Sequence, residues 1–345
     1  MLLPRTPWRH GATISKSQSI GPVSAFHALH SNRLQRKDNI NPRIPSSRGT
    51  FLLRSITTHA AKDAMTTSSV LRTDSYLTSN VKDLMSLQDR VVVITGGAKG
   101  IGLALAFGVA EAGGKIAIVD TSSKPSENYD RLQKICSEVR YYQSDVTDHK
   151  KLTSTFDSIT KDFRSIDGII TAAGICPDES FLDRDPSSVK KCIEVNVLGT
   201  YYAAQLAARQ MIKQSARNES SGVGSIVMIA SMAAHRASKA QFTSDYCMSK
   251  GGVLALTKQL GVELAHHAIR VNCISPGYIA TDLIADLVKQ RPTLGEVFQS
   301  EPPMKRMGDR TDLKAAAVYL LADASAYMTS GEMLITGGLH AGQVY

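Results

Sequence analysis

The sequence predicts an α/β fold, a single doubly wound domain whose parallel seven-stranded sheet carries helices on both faces. Seven short runs rich in β-branched residues alternate with six amphipathic stretches between residues 90 and 336. The runs are apolar almost throughout, which is typical of strands covered on both faces. Strands that alternate with helices in this way form parallel sheets with helical crossovers. The 281 residues from 65 to 345 fit one such domain.

Each element is predicted from its local pattern. Strands are expected at the short β-branched runs 90–95, 115–120, 139–144, 166–171, 225–230, 269–275 and 333–336. Helices are expected where apolar residues recur at helical spacing, at 100–112, 126–136, 148–163, 187–214, 246–266 and 311–322. The polar, glycine-containing residues 217–224 indicate a surface loop. Residues 278–308 break the alternation with Pro292, Pro302 and Pro303.

The first 62 residues hold the whole charge excess of the chain. They contain ten Lys and Arg but one acid, Asp38, which leaves thirty basic and thirty acidic residues after position 62. A neutral body gives no indication of a nucleic-acid partner. A basic, Ser-rich and acid-poor head is typical of a transit peptide, so we expect residues 1–64 to be a disordered leader and the protein to be mitochondrial. The alternatives are a tail without function, or a start at Met65 and a cytoplasmic protein.

Several other classes of protein are not indicated. No apolar run approaches the ~18 residues that a bilayer crossing needs, so no membrane span is expected. The five cysteines are widely spaced and include no Cys-x-x-Cys pair, which argues against a disulfide framework and a zinc site. The nine histidines form no cluster with metal-ligand spacing, so no metal is expected.

A glycine-rich turn joins the first predicted strand to the first predicted helix. Residues 95–102 are Thr-Gly-Gly-Ala-Lys-Gly-Ile-Gly. Glycines let a backbone approach a pyrophosphate, and the helix N-terminus holds the anion. The second strand ends in Asp120, where a carboxylate accepts hydrogen bonds from the adenine ribose and repels a 2′-phosphate. The pattern predicts a Rossmann-type site that prefers NAD, and Lys99 leaves NADP possible. An ordinary strand-end acid is the alternative for Asp120.

Tyr246 and Lys250 predict a proton donor beside that site. Four residues apart, they lie on one face of a helix. A free phenol has a pKa near ~10, so proton transfer near neutrality needs a drop of about three units, or ~4 kcal/mol. A nearby ammonium and an oxidised nicotinamide can stabilise a phenolate by that order. Ser231, after the strand 225–230, could hydrogen-bond a substrate oxygen. The alternative is a strand cap, a solvated lysine and a half-buried aromatic.

Taken together, these motifs resemble those of the short-chain dehydrogenase/reductase family over residues 88–345. Five motifs in family order carry the resemblance: the cofactor turn 95–102, Asp145-Val146 for adenine, Asn196-Val-Leu-Gly199, the set Ser231, Tyr246 and Lys250, and the nicotinamide segment 276–281. The resemblance implies that the equivalents of helices 187–214 and 246–266 pair between subunits. A homotetramer or a homodimer is therefore expected.

The resemblance also implies a role for each residue. Tyr246 is expected to be the general acid/base, Lys250 to lower its pKa and bind the nicotinamide ribose, and Ser231 to polarise the carbonyl. Asn196 is expected to hold a water that relays the proton outward. Ile279 is expected to contact the carboxamide through its backbone. The expected cofactor-binding residues are Gly96, Lys99, Gly100, Ile101, Gly102, Asp120, Asp145, Val146, Ala173, Gly174, Tyr246, Lys250, Pro276, Gly277, Ile279 and, through its side chain, Thr281.

Two departures from the family pattern bear on the site. Thr171 stands where the family's motif usually has Asn, so the hydrogen bonds that stabilise the sheet there are expected to differ. The spacing of fifteen residues from Ser231 to Tyr246 is longer than in most members, and the loop 232–245 borders the substrate. This loop and the ending Ile335-Thr-Gly-Gly-Leu-His-Ala341 look like the fungal polyol branch, the D-arabinitol, mannitol and sorbose dehydrogenases/reductases.

Three functions follow as hypotheses. The first is an NAD(P)-dependent oxidoreductase that interconverts a secondary alcohol and a ketone in a small molecule, a polyol or ketose. The second is a ketoreductase that tailors a hydrophobic metabolite. The third is an inactive nucleotide-binding scaffold, which the intact set of four active-site residues argues against. The segment 278–308 does not decide between the first two, because apolar and basic residues are mixed in it: Leu283, Ile284, Leu287, Val288, Phe298, Lys289, Arg291 and Lys305.

Overall fold

A computed structural model describes residues 75–214 and 222–342 of the chain. All seven strands are parallel and form one sheet in the order β3-β2-β1-β4-β5-β6-β7. The strands are β1 (Val91–Thr95), β2 (Lys115–Asp120), β3 (Val139–Gln143), β4 (Gly168–Thr171), β5 (Gly224–Ile229), β6 (Ile269–Pro276) and β7 (Glu332–Ile335). The predicted leader, residues 1–64, and most of the predicted loop 217–224 lie outside the described residues.

Helices connect the strands. The two short helices α1 (Ser75–Thr78) and α2 (Val81–Leu84) precede β1. The helices between strands are α3 (Gly100–Glu111), α4 (Tyr129–Ile135), α5 (His149–Phe163), α6 (Pro186–Ile193), α7 (Thr200–Ile212), α8 (Ser244–Glu263), α9 (Asp282–Gln290), α10 (Pro292–Ser300) and α11 (Lys314–Leu321). Within the described ranges, no helix has both the length and the apolar character that a membrane crossing requires.

The sheet is buried on both faces, as the apolar runs predict. In β1, Val92 and Ile94 face one hydrophobic cluster, while Val91 and Val93 face a second cluster on the opposite side. The first cluster includes side chains of α3 and α11, and the second includes side chains of α5 and α7. A strand with this period-2 alternation and no polar face must be central in the sheet. The predicted doubly wound single domain is thereby confirmed.

The structure differs from the prediction in two places. The predicted helix 187–214 contains one π-helical turn, Glu194–Gly199, between α6 and α7. The segment 278–308, for which no helix is predicted, contains α9 and α10. Pro292 breaks the sequence pattern, but it occupies the first turn of α10, where its missing N–H has no intrahelical partner to lose.

The sheet order defines where a ligand can bind. From β1 the chain adds β2 and then β3 on one side of the sheet. It then crosses back and adds β4 on the other side of β1, so the direction of the strand order reverses between β1 and β4. In open α/β sheets a crevice forms outside the carboxyl ends of the strands at such a point. The ends of β1, β2, β4, β5 and β6 carry the predicted site residues at this edge.

Candidate active site

Glycines form a backbone cradle at the end of β1. A Cβ on Gly96 would lie 2.6 Å from the Cα of Ala173, and one on Gly102 would lie 2.2 Å from the carbonyl oxygen of Gly96. Gly96 and Gly100 also have positive φ values of 68° and 60°, which favour glycine. Nothing lies within 4 Å of the Cβ position of Gly100, which leaves space before the first turn of α3. The turn and this helix N-terminus suit a pyrophosphate, so the residues present fit a dinucleotide.

Asp120 ends β2 beside this cradle. Its Oδ2 accepts a hydrogen bond from the N–H of Ala98 at 3.0 Å, and its Oδ1 accepts one from the N–H of Ser122 at 3.1 Å. The carboxylate is therefore fixed against the glycine-rich turn. Each oxygen retains a lone pair, so Asp120 can still accept a bond from a ribose hydroxyl.

Asp145 and Val146 lie just beyond β3. Burial raises the pKa of Asp145, but hydrogen bonds from the N–H and hydroxyl of Thr147, each 2.8 Å long, outweigh it and leave the pKa lowered. Val146 is buried, and its Cγ2 lies 2.5 Å from the Cβ position of Gly199. This contact holds the turn after β3 against the π-helical turn.

Three predicted catalytic side chains meet at the end of β5. The side chains of Ser231 and Tyr246 lie close enough for the serine hydroxyl to lower the pKa of the phenol. The Nζ of Lys250 lies 5.7 Å from the ring centroid of Tyr246 and donates to the carbonyl of Ile229 at 2.7 Å. The Oγ of Ser231 also accepts from the N–H of Ala233 at 3.1 Å, which fixes the hydroxyl at the start of the loop 232–243.

Burial has the largest effect on the pKa values of Tyr246 and Lys250. Burial raises the pKa of Tyr246, and Cys176 raises it further, whereas the nearby hydroxyl of Ser231 lowers it only in part. Burial lowers the pKa of Lys250 from 10.5 to about 8. Both shifts are towards the neutral form, although a pKa of about 8 leaves Lys250 protonated at pH 7. A phenolate at neutral pH needs a further positive charge, which a bound oxidised nicotinamide carries.

Asn196 lies in the π-helical turn and is completely buried. Its Oδ1 accepts from the N–H of Ile175 at 2.9 Å, and its Nδ2 donates to the carbonyl of Ile175 and to the Oγ of Ser249, each at 2.9 Å. The Cβ position of Gly174 lies 3.3 Å from this Oδ1 and 3.7 Å from the Nζ of Lys250. The amide thus connects the end of β4 to α8. The predicted water relay stays a prediction.

The segment after β6 reaches the same edge. A Cβ on Gly277 would lie 2.9 Å from the Cα of Thr336, so the close approach of β7 requires glycine there. Ile279 is buried and pairs with Gly308 in an isolated bridge. The hydroxyl of Thr281 accepts from the N–H of Ile284 at 3.3 Å and caps α9, and its proton remains available to an acceptor.

Thr171 ends β4 with a side-chain hydroxyl that is unpaired in the part of the chain that the structure describes. Its side chain is 2 % exposed, and among the described residues its Oγ1 has no hydrogen-bond partner. The sheet end is held here by backbone bonds, such as the N–H of Ala172 to the carbonyl of Thr95 at 3.1 Å.

A lid covers the catalytic group. Side chains of α9 and α10 form a small hydrophobic cluster with Met232, Ala233 and Tyr278, and Tyr246 and Cys247 pack against it. Arg291, between the two helices, contacts the carboxylate of Asp178 at 2.7 Å. Beside the lid, a cavity of about 550 Å³ opens between the loop 233–244 and Phe181.

Sequence reasoning missed a buried ion pair next to the catalytic tyrosine. The Nη1 of Arg184 lies 2.7 Å from the Oδ2 of Asp245, and the two side chains are 2 % and 1 % exposed. No pattern signalled this contact, because the residues are 61 positions apart and an acid in the first turn of a helix is common. In the part of the chain that the structure describes, no three His, Cys, Asp or Glu side chains form a potential metal site.

Known proteins resemble this chain over the region that contains the site. The profile of a family described as enoyl-(acyl carrier protein) reductase matches residues 96–340. An NADP-dependent mannitol dehydrogenase of Hypocrea jecorina is 36 % identical over 261 residues, covering 74 % of this chain and 94 % of that protein. An L-rhamnose 1-dehydrogenase (NAD(P)(+)) of a Sphingomonas species is 30 % identical over 256 residues, covering 74 % and 97 %.

A solved structure has the same architecture. The crystal structure of a short-chain type dehydrogenase/reductase from Mycobacterium marinum superimposes with a TM-score of 0.69 at 34 % sequence identity. The match covers 75 % of this chain and 99 % of that one. The shared region therefore contains the glycine cradle, the catalytic group and the lid.

Proposed function

Because the chain belongs to the short-chain dehydrogenase/reductase family, we propose that its active site transfers hydride between NAD(P) and the CH–OH carbon of a polyol or ketose. The chain is an NAD(P)-dependent oxidoreductase that interconverts a secondary alcohol and a ketone. The observation that carries the proposal is the grouping of three side chains at the end of β5, with the hydroxyl of Ser231 beside the phenol of Tyr246 and the Nζ of Lys250 at 5.7 Å from the tyrosine ring centroid.

Each catalytic side chain has a task that its position allows. A bound nicotinamide supplies or accepts the hydride. In reduction, Tyr246 donates its proton to the substrate oxygen, and in oxidation it removes the hydroxyl proton. Ser231 holds the same oxygen by a hydrogen bond. Proton transfer requires the phenol oxygen of Tyr246 to lie about 2.6–3.2 Å from the substrate oxygen. The ammonium of Lys250 stabilises the phenolate that forms, because opposite charges at short range favour the ionised phenol.

The polyol assignment follows the relatives. The mannitol dehydrogenase of H. jecorina and the L-rhamnose dehydrogenase of Sphingomonas act on a polyol and a sugar by their names. The longer spacing between Ser231 and Tyr246 supports the same branch, because it resembles the spacing in the fungal polyol enzymes.

One observation favours the hydrophobic metabolite as the second candidate. Phe181, Phe242, Ala233, Ala234 and Cys247 line much of the cavity beside the lid. Phe181 and Phe242 are 76 % and 59 % exposed, so an apolar substituent of a substrate could bury them. Pockets dominated by apolar and aromatic side chains suit apolar ligands, whereas a polyol needs a hydrogen-bond partner for each hydroxyl.

Asp120 supports a preference for NAD. Its carboxylate lies at the end of β2 against the glycine turn, where a 2′-phosphate would meet a negative charge. The H. jecorina relative is NADP-dependent and the Sphingomonas relative is named for both cofactors, so NADP use is the competing outcome. Lys99, next to Gly100, is the cation that could pair with a 2′-phosphate.

The test is a two-cofactor substrate panel on purified protein. Absorbance at the reduced-nicotinamide band is followed with NAD and with NADP, for polyols, ketoses and aryl ketones. We expect turnover of a polyol, with a higher kcat/KM for NAD, and a shift of Asp120→Ser towards NADP. Turnover of aryl ketones alone selects the second candidate. A wild-type preference for NADP contradicts the assignment of Asp120. Nucleotide binding without turnover of any substrate contradicts the reaction.

Assembly and location belong to the same proposal. Exposed apolar side chains on α7 and α8, among them Tyr201, Met248 and Val262, support a tetramer or dimer formed through these helices. The ten bases and one acid in residues 1–62 support import into mitochondria, with the cytoplasm as the alternative.

A further inference from the structure

Tyr246 sits in the weakest part of its helix. Helix α8 begins at Ser244, so the catalytic residue is the third of twenty. The first N–H groups of a helix lack intrahelical partners, and helix ends fray unless a side chain caps them. The N-cap residue here is Thr243, and its side chain makes no capping hydrogen bond. The position of the phenol therefore depends on whatever else holds the first turn.

Asp245 holds that turn. Its Oδ1 accepts a hydrogen bond from the N–H of Tyr246 at 2.8 Å, and its Oδ2 lies 2.7 Å from the Nη1 of Arg184. The carboxylate thus joins the backbone of the catalytic residue directly to a guanidinium on another segment. Both side chains are almost completely buried.

Arg184 anchors this contact to the two loops around the site. It immediately precedes Asp185, the N-cap of α6. Its Nη2 donates to the carbonyl of Glu179 at 2.6 Å and to the carbonyl of Phe242. The N–H of Glu179 donates to the same carbonyl of Phe242 at 3.1 Å. One guanidinium therefore connects the segment after β4, the loop before α8 and the first turn of α8.

Stability alone is a poor explanation for the pair. Among the described residues, the Nε and Nη1 of Arg184 and the Oδ2 of Asp245 make no aligned hydrogen bond, although the charged atoms are in contact. Burying two charges costs more than a misaligned pair regains, and apolar replacements are often neutral or stabilising. Unsatisfied polar atoms in a core call for another reason.

We propose that Arg184 and Asp245 are positioning residues for Tyr246. The pair fixes the first turn of α8 so that the phenol hydroxyl stays beside the hydroxyl of Ser231 while substrate and product exchange. Neither residue contacts the reacting atoms, and both act through the tyrosine. The inference rests on the proposed function, because it assumes that Tyr246 transfers the proton.

The decisive variant removes both charges together. In Arg184→Met/Asp245→Leu no buried charge is left unpaired, so the melting temperature should fall much less than in either single variant, although the bonds to Glu179, Phe242 and Tyr246 are lost. We expect kcat to fall on the order of 10–100-fold, because a displacement of about 1 Å at a catalytic group costs about 10²-fold. Cofactor affinity should not change, because the glycine cradle is untouched. A double variant with wild-type stability and wild-type kcat overturns the proposal.

Two further variants separate positioning from folding. Arg184→Lys keeps the charge but loses the fork that reaches Glu179 and Phe242, so it should fold and still lose kcat; an unchanged kcat contradicts the proposal. Arg270→Met removes another buried arginine, whose guanidinium contacts Ser325 and Ala322 on the far side of the sheet. This control should lose thermal stability while the folded enzyme keeps its kcat. A matching loss of kcat in the control also counts against the proposal.

A readout without turnover keeps the test independent of the reaction. Hydrogen exchange of the segment 243–250 is measured by mass spectrometry in the wild type and in Arg184→Lys. We expect faster exchange at the N–H of Tyr246 in the variant. The lysine cannot connect the acceptor Asp245 to the carbonyls of Glu179 and Phe242, so the first turn of α8 is held less firmly. Equal exchange overturns the positioning role. Wild-type protein that turns over no substrate contradicts the proposed function alone.

Discussion

At the scale of single residues, the site depends on burial as much as on charge. Tyr246 and Lys250 are both shifted towards their neutral forms in the protein alone. The two shifts oppose an early transfer of the proton from tyrosine to lysine. A positive charge beside a phenol lowers its pKa, so the proposed acid/base role is expected to depend on the Lys250 ammonium and on a bound oxidised nicotinamide.

Tyr246→Phe tests the acid/base role. The variant keeps the ring and its packing but loses the hydroxyl, so kcat should fall by ~10²–10⁴-fold while cofactor affinity is retained. Steady-state kinetics and fluorescence titration of the reduced cofactor measure the two quantities. Tyr201→Phe, which changes a partly exposed tyrosine on α7, should leave both unchanged. Near-normal turnover of folded Tyr246→Phe contradicts the mechanism.

Lys250 gives a prediction about stability and pH. Its pKa falls from 10.5 to about 8 on folding because burial penalises the ammonium. Between these values the unfolded chain holds a proton that the folded chain has released, so raising the pH in this window removes a destabilising contribution. Below about pH 8 that contribution is fully present, on the order of 3 kcal/mol.

The comparison with Lys250→Met isolates this effect. The methionine carries no charge to bury, so the variant should gain stability relative to the wild type near pH 7. That gain should shrink as the pH rises from 8 to 10, because the wild type loses the buried charge over this range. Thermal unfolding at several pH values measures the difference. Two parallel curves of melting temperature against pH contradict the depressed pKa.

At the scale of elements, helix α8 combines two glycines with opposite surroundings. A Cβ on Gly251 would meet nothing within 4 Å, whereas one on Gly261 would lie 2.2 Å from the Oγ and 2.5 Å from the N of Ser330. The same substitution should therefore act with opposite sign. At Gly251 an alanine should raise the helix propensity, whereas at Gly261 its Cβ should collide with the turn before β7.

Alanine at each position tests this difference. Gly251→Ala should stabilise by up to about 1 kcal/mol through helix propensity. Gly261→Ala should destabilise by about 1–3 kcal/mol through overpacking against backbone. Thermal or urea unfolding measures both. Equal effects contradict the described packing, and a loss at Gly251 alone indicates that another subunit covers that face.

The sequence predicts regular elements better than irregular ones. The strands are most predictable where the apolar run is continuous, as in β1 and β5. The π-helical turn at Glu194–Gly199 is not, because one turn with a different period is too short to disturb an apolar pattern. Helices α9 and α10 were missed because Pro292 indicates a break, although it begins a helix. The Arg184–Asp245 contact depends on the tertiary fold and leaves no local trace.

At the scale of the whole molecule, the exposed apolar residues of α7 and α8 predict self-association. Val262→Lys places a charge in the expected interface, so light scattering at micromolar concentration should give a smaller particle than the wild type. Val81→Lys is the control, because Val81 in α2 is 72 % exposed and Val262 is 71 % exposed. The control should assemble like the wild type. A wild-type monomer contradicts the proposed oligomer.

The leader gives a prediction about maturation. Protein isolated from its native cell should come from the mitochondrial fraction and should have lost its head between about residues 50 and 66. Sequencing of the mature N-terminus measures this. An acetylated terminus at Met1 or Thr66 in the cytosolic fraction contradicts import and leaves the catalytic mechanism unaffected.

The last strand, β7, also bears on how the protein is synthesised. It pairs only with β6, and 55 residues separate the two strands. At ~5–20 residues per second, a ribosome needs roughly 3–11 s to deliver them. During this time β6 is the edge strand of the nascent sheet. Its unpaired backbone N–H and C=O groups are a template for aggregation. A chain released early, before Glu332, keeps that edge, and so the protein's dependence on chaperones should be greatest near the end of translation.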